Sequence, residues 1–269
     1  MEHKRFPEPV EALLLILAAL FGLLGLVILI GAVFGFDMST PAFDQNMRYL
    51  FVFGGAVFLI VPYGYAKAKN YDTQTLFRFN KVPMPVVYLS LVVSLALTVV
   101  GDELDRLVNM VFPIPEWMLE QVQPLQAQGI GDWVLVILGA VVVAGIAEEA
   151  LFRGFFQVTL EQKGDATRAV LLSSLGWTLI HMNPYWAIQI FIMGVFIGFL
   201  AWRTNSIIPA IIVHGTNNLI ALFFLNFHLD RWMSWYLWND HVSPPVLVVA
   251  VGALYWALRH INQFYQPSD

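Results

Sequence analysis

The chain has 269 residues, of which 58% are hydrophobic and only 12% are charged, and its mean hydropathy is +0.68. Soluble domains carry about 25% charged residues, so this chain has too few to cover a water-facing globule. The absence of cysteine excludes disulfides and thiolate metal ligands. The net charge of -5 comes without a basic, aromatic-interleaved patch, so we expect no nucleic-acid partner. The composition indicates a polytopic membrane protein.

Apolar segments recur along the whole chain, and a membrane-spanning helix needs about 20 such residues. Eight candidate spans are found, at 11–35, 47–66, 84–101, 133–158, 168–182, 185–202, 206–225 and 244–259. The first follows Lys4 and Arg5 but is too long for a signal-peptide core, so it is interpreted as a retained anchor. We therefore predict an all-α fold with about eight transmembrane helices, forming a single integral membrane domain over residues 1–269.

Loop charges favour one orientation of these spans, because cytoplasmic loops are enriched in Lys and Arg. With the N-terminus inside, ten basic residues lie inside, namely Lys4, Arg5, Lys67, Lys69, Arg78, Lys81, Lys163, Arg168, Arg203 and Arg259. Only Arg48, Arg106 and Arg231 lie outside. The long loop 102–132 is then extracellular or periplasmic. Loop 226–243 is on the same side and carries a predicted aromatic belt of Trp232, Trp235, Tyr236 and Trp238. Both termini are predicted to be cytoplasmic, and the compact loops suggest a bacterial inner membrane.

Three charges, Glu148, Glu149 and Arg153, interrupt the fourth apolar segment. Each charge at the centre of a span costs roughly 2.5–3.5 kcal/mol on insertion scales. Glu149 and Arg153 are four residues apart, so they share a helix face and can form an ion pair. Glu148 points about 100° away and has no local cation. We therefore predict a supporting role for Glu149 and Arg153, and the role of general base for Glu148.

Two further helices carry polar residues at a similar depth. Glu148 lies roughly 15 Å from the inner end of its helix, and His181 lies roughly 19 Å from the inner end of the next helix. On the seventh segment His214 and Asn218 are four residues apart on one face, at roughly 12 and 18 Å. A polar cavity shared by the three helices explains this common layer, with Glu148 facing the other three residues across it.

Two kinds of chemistry fit such a cavity. Glu148 and His181 can activate a water molecule, while His214 and Asn218 stabilise a developing oxyanion. Alternatively, Glu148, His181 and His214 are three ligands of one catalytic zinc with an open position for water. The sequence spacing does not separate these alternatives. The His-Glu-x-x-His signature of common zinc proteases is absent.

The ordered motifs resemble those of one protein family. They are Glu148-Glu149-x-x-x-Arg153, Trp177-x-x-x-His181 and His214-x-x-x-Asn218. The combination is similar to the CPBP family of CAAX proteases and bacteriocin-processing enzymes, also called the Abi family. Its members include the Ras-converting CAAX prenyl endopeptidase. The resemblance extends over about 85–225, the predicted catalytic core, and includes the stretch Gly101-Asp-Glu-Leu-Asp105.

The resemblance implies an eight-helix intramembrane endopeptidase with a cavity open to the cytosol. Matching positions make Glu148 the general base and His181 a residue that holds or activates water. His214 and Asn218 then bind the oxyanion or complete a metal site, and such enzymes are commonly described as metalloproteases. The family usually has Phe where this chain has Trp177, so we expect packing on His181 to persist with a changed pocket shape. The expected substrate is a membrane-associated peptide, a bacteriocin-like precursor or a lipidated, CAAX-like protein.

Two hypotheses that assign the chain to other functional classes remain open. A non-catalytic scaffold or immunity factor has the same fold but no need for Glu148. A proton-coupled transporter also uses intramembrane Glu and His side chains as relays. The sequence shows no inverted repeat of the kind many transporters contain.

Overall fold

The computed structural model describes residues 6–34, 41–120, 122–227 and 233–266. The helices are α1 (Pro9–Phe34), α2 (Pro41–Ala68), α3 (Thr73–Leu76), α4 (Met84–Val111), α5 (Glu116–Glu120), α6 (Ile130–Glu161), α7 (Ala166–Ile180), α8 (Ala187–Thr204), α9 (Ile208–Phe227) and α10 (Pro244–Phe264). A 3-10 turn covers Gln123–Leu125, and a hairpin of two short strands pairs β1 (Leu237–Trp238) with β2 (His241–Val242). The fold is all-α, as predicted.

Seven of the described helices are long and apolar enough to cross a membrane, rather than the eight predicted. The exception is α7, whose 15 residues give a length of only about 22 Å, short of the roughly 30 Å hydrocarbon core. The fifth predicted span is therefore a helix too short to cross a membrane.

Local signals explain both ends of α7. The Asp165 carboxylate caps the first turn by accepting a hydrogen bond from the Arg168 amide at 2.9 Å. At the other end Met182 has a left-handed φ of 49°, which ends the helix after Ile180. Asn183 then accepts hydrogen bonds from the amides of Tyr185 and Trp186, at 3.1 and 3.2 Å, and starts the turn into α8. This early stop leaves His181 at the helix end.

The helix ends sort into two groups. At one end Lys163 pairs with Glu8 at 3.1 Å, Arg78 pairs with Glu161, and Arg203 donates to the Asn262 carbonyl at 2.9 Å. At the opposite end the buried Arg48 pairs with Asp132 at 2.5 Å and donates to the carbonyls of Pro124 and Gln126, at 2.9 and 2.7 Å. The loop charges assign these residues to the same two groups, and which end faces the cytoplasm stays a prediction. Lys4, Arg5, Arg231 and Trp232 lie outside the described residues.

The long helix α6 packs against α1, α2, α7, α8 and α9. It is interrupted by two wider π-helical turns, Ile137–Val143 and Ala150–Phe156, on either side of Glu148 and Glu149. Such turns are rare and often occur at functional sites. Gly145 of α6 meets Gly215 of α9 so closely that a Cβ at Gly145 would lie 3.6 Å from the Gly215 Cα. This close crossing brings the acidic pair of α6 next to the histidine of α9.

Candidate active site

Trp177 is fully buried and joins several of the residues that the sequence motifs single out. Its indole Nε1 donates to Glu148 Oε2 at 2.7 Å. Its ring lies edge-on to the rings of His181 and His214, with centroids 4.9 and 5.2 Å away. The Arg153 guanidinium lies over its face, 4.3 Å from the ring centroid. The predicted packing of Trp177 on His181 is present, whereas its hydrogen bond to Glu148 did not follow from the motif.

His181 is exposed at the end of α7, where its Nδ1 lies 2.8 Å from the carbonyl oxygen of Trp177. A carbonyl oxygen can only accept, so Nδ1 carries the hydrogen in this bond. In the neutral imidazole the free lone pair is therefore on Nε2. The helix terminus thus presents His181 with a defined tautomer that can accept a proton.

Glu149 and Arg153 form the ion pair that their spacing predicts, with 3.1 Å between Glu149 Oε1 and Arg153 Nη1 and no exposed surface on either side chain. The same Oε1 also lies 2.8 Å from His214 Nδ1. The second bond was not predicted, because Glu149 was assigned support only and His214 was placed opposite Glu148. A carboxylate that receives hydrogen bonds from both groups holds the buried imidazole in one orientation.

Arg153 makes a further hydrogen bond, to Gly194 of α8. Its Nη2 donates to the Gly194 carbonyl at 3.3 Å. A Cβ at Gly194 would lie 3.1 Å from Ser174, 3.2 Å from Trp177 and 3.3 Å from Arg153. The absence of a side chain at Gly194 therefore makes room for these polar groups.

Asn218 is half-buried, and its Nδ2 donates to the Ala140 carbonyl in a π-helical turn of α6 at 2.8 Å. An amide nitrogen has two hydrogens, so one remains for another acceptor. Its neighbour Asn217 accepts from Thr98 of α4 at 3.0 Å. The two adjacent amides therefore point to different helices.

A cavity of about 550 Å³ adjoins these groups, and its wall includes Trp177, His181, His214 and Asn218. Three of the four predicted catalytic side chains thus meet at one cavity. Glu148 does not belong to this wall and is connected to it through the Trp177 indole. The predicted arrangement, with Glu148 facing the other three across the cavity, is therefore replaced by an indirect one.

The residues proposed for zinc do not form a ligand set in this arrangement. Among the described residues, no three His, Asp or Glu side chains converge as metal ligands would. The Nδ1 atoms of both histidines are bonded, to a carbonyl oxygen and to a carboxylate, so only their Nε2 atoms have a free position.

Two predictions about the side of the membrane to which the cavity opens disagree. Its wall includes Leu119, Val122 and Leu125, which belong to the loop predicted to lie outside the cell. The resemblance implied instead a cavity open to the cytosol. The cavity therefore reaches the end of the bundle opposite to the pair of Glu8 and Lys163.

Apolar helices surrounding a polar, histidine-containing cavity define an integral membrane protein with a site at membrane depth. Residues 130–220 match the profile of a family described as Rce1-like, Type II CAAX prenyl endopeptidase Rce1-like. This segment contains all three motifs, and its similarity to that family agrees with the resemblance predicted from them. No curated protein and no solved structure matches the chain.

Proposed function

We propose that the protein is an intramembrane endopeptidase that hydrolyses a peptide bond of a membrane-associated or lipidated, CAAX-like substrate. The observation that carries this proposal is the placement of Trp177, which contacts Glu148, His181 and His214 beside one cavity. Two histidines at the wall of one cavity, and a carboxylate connected to that wall through an indole N–H, are the kinds of group that amide hydrolysis uses. The family match over 130–220 supports the same class of reaction.

The first chemical role is water activation. The Nε2 of His181 accepts a proton from water at the cavity wall, because its Nδ1 is committed to the Trp177 carbonyl. The Glu148 carboxylate, held by the indole N–H, completes this base, because its negative charge stabilises the resulting imidazolium. The water oxygen forms a bond to the carbonyl carbon of the substrate and gives a tetrahedral oxyanion. When this intermediate collapses and its C–N bond breaks, His181 passes the proton to the leaving nitrogen.

The second role is stabilisation of the oxyanion that forms when water attacks. His214 donates from Nε2 when it is protonated, and Asn218 donates its second amide hydrogen. A protonated His214 also balances the buried charges, since Glu148 and Glu149 are then matched by Arg153 and His214. Glu149 is in this view a positioning residue that fixes His214.

For the location we propose a bacterial inner membrane with both termini in the cytoplasm. The support is the distribution of Lys and Arg among the loops and the grouping of the corresponding helix ends in the fold. The proposed partners are the lipid bilayer and a membrane-associated peptide or protein substrate.

The decisive test replaces Glu148 by Gln in protein purified in detergent or liposomes. Cleavage of a farnesylated CAAX-type peptide should fall at least about 100-fold, because a general base contributes about 10²–10⁴-fold. The exposed Glu116→Gln is the matched control and should cleave at the wild-type rate. Unchanged cleavage in Glu148→Gln excludes the proposed mechanism.

Two other outcomes favour the alternative functions. A cellular phenotype fully retained by Glu148→Gln favours a non-catalytic scaffold or immunity factor. Uptake driven by a proton gradient favours a transporter.

Metal dependence needs a separate measurement, because zinc held by Glu148, His181 and His214 is the alternative mechanism. Metal content and cleavage are measured on the same purified sample before and after chelation. Full activity of metal-free protein supports activation by Glu148 and His181 alone. If zinc and activity are lost together and restored together, the three residues bind a metal. They must then move from the positions seen in this structure.

A further inference from the structure

A second cavity, of about 390 Å³, adjoins the first at the outer end of the bundle. The two cavities share the wall residues Asp105, Gln189, Asn217 and Ala221. Most of the remaining wall of the second cavity is apolar, and includes Leu95, Val99 and Phe224. The polar side chains of the shared wall therefore face both the site of hydrolysis and a largely apolar space.

Among the described residues, Asp105 is the only acid in the wall of the cavity that contains His181 and His214. No cation pairs with it among the described residues. The adjacent Arg106 binds Asp102 at 3.1 Å and donates to the Asp240 carbonyl at 3.0 Å. Asp105 is thus a carboxylate at a cavity wall whose charge is not matched by the protein.

The partner of Asp105 is an amide. In the orientation of the Gln189 amide that satisfies both groups, its Nε2 donates to the two Asp105 oxygens at 2.8 and 3.2 Å. Gly101 provides the space for this contact, since a Cβ there would lie 2.6 Å from the terminal amide of Gln189. A neutral donor fixes the direction of the carboxylate without neutralising it. The arrangement therefore holds the carboxyl group of Asp105 in a defined position.

A third side chain of the shared wall is also fixed. Asn217 Oδ1 accepts from Thr98 Oγ1 at 3.0 Å, and Thr98 donates as well to the Ser94 carbonyl at 2.9 Å. The Nδ2 donor of Asn217 has no protein partner among the described residues. A ligand at this wall thus meets one carboxylate acceptor and one amide donor. The carboxylate suits a basic group, and the amide donor suits a peptide carbonyl.

We propose that Asp105 binds a basic group of the substrate, a Lys or Arg side chain within about two residues of the scissile bond. The proposal rests on the proposed function, because the same cavity presents His181, His214 and Asn218. Apolar walls accept the methylene stem of such a side chain, while its charged end reaches the carboxylate. Asp105 is therefore a residue that determines specificity rather than one that carries out the reaction.

The test compares peptide substrates of one sequence that differ at a single position near the scissile bond, scanned over two residues on each side. Lys, norleucine and Glu are placed there in turn, and kcat/KM is measured for each. The wild type should prefer Lys over norleucine at one position by about 10-fold or more, as expected for a paired, desolvated charge. Asp105→Asn should lose this preference, so that its kcat/KM is the same for the Lys and norleucine peptides.

A charge reversal makes the test specific. Asp105→Lys should prefer the Glu peptide at the same position, which a merely structural role of Asp105 would not produce. Equal cleavage of Lys and norleucine peptides by the wild type overturns the inference, as does a Lys preference that survives in Asp105→Asn. Equal loss of all peptides in Asp105→Asn also overturns it, because the residue is then structural. Failure of the wild type to cleave any peptide refutes the proposed function instead.

Discussion

The Trp177 indole N–H donates a hydrogen bond to Glu148 Oε2 at 2.7 Å, and so links the α7 motif to the acidic motif of α6. Phe, the usual residue of the family at this position, has no hydrogen to donate. The backbone carbonyl of Trp177 accepts a hydrogen bond from His181 Nδ1, at 2.8 Å. One residue therefore orients both groups that we propose to activate water.

We expect Trp177→Phe to lower kcat by about 10- to 100-fold, because a hydrogen bond to a charged group contributes about 1.5–3 kcal/mol. The backbone bond to His181 and an aromatic ring beside it are kept, so KM should change little. The measurement is steady-state cleavage by purified protein.

The control for Trp177→Phe is Trp186→Phe, which also changes a cavity-wall tryptophan but leaves Glu148 untouched. A sharper version places benzothienylalanine at 177, which keeps the double-ring shape and removes only the N–H. Wild-type kcat with that residue would show that the indole donor does not matter.

Replacing Glu149 alone and replacing it together with Arg153 should have different effects on stability and activity. Glu149→Leu alone leaves the Arg153 charge buried without its carboxylate, and we expect a loss of about 3–5 kcal/mol in stability. The double variant Glu149→Leu/Arg153→Met removes both charges and should recover most of the thermal stability. It should nevertheless stay at least about 10-fold less active, because His214 Nδ1 loses the carboxylate bonded to it at 2.8 Å.

Thermal unfolding in detergent and cleavage are measured on the same samples of these variants. If the double variant regains activity together with stability, Glu149 acts only as a structural partner of Arg153. A double variant that stays unstable would instead contradict the idea that the two charges mainly balance each other.

Gly194 should not tolerate even one added carbon atom. A Cβ there would approach Ser174, Trp177 and Arg153 to within 3.3 Å, so Gly194→Ala should destabilise the protein by about 1–3 kcal/mol and reduce cleavage. The matched control is Gly252→Ala in α10, where nothing lies within 4 Å of the added atom. That change should be neutral or stabilise the helix by up to about 1 kcal/mol. Equal unfolding temperatures for the two variants would contradict the packing described for α8.

The orientation in the membrane can be measured with single cysteines, because the native chain has none. Gln128→Cys and Gln162→Cys place exposed thiols at the two ends of the bundle. If the N-terminus is cytoplasmic, a membrane-impermeant maleimide added to spheroplasts should label residue 128 and reach residue 162 only after permeabilisation. The reverse pattern would place the end of the bundle with Leu119 and Leu125 at the cytosol, in agreement with the family-based expectation of a cytosolic opening.

The sequence by itself determined the class of fold and the segments that carry the site. Spans follow from apolar length, because unpaired backbone groups are costly in lipid and a helix satisfies its own. The i,i+4 spacing of Glu149 and Arg153 predicted their ion pair, because the geometry of one helix is local. The span predicted at 168–182 is the exception, because the left-handed Met182 ends α7 after Ile180.

Only the tertiary structure decided which polar groups bind one another. His214 pairs with Glu149 rather than Glu148, and Glu148 binds Trp177, because the crossing of α6 and α9 at Gly145 and the π-helical turns of α6 set the direction of each side chain. Periodicity along one helix gives the face of a residue but not the neighbour that the face meets. Asp105 and Gln189 come from distant helices and share a wall only after packing, so no local pattern could reveal the second cavity.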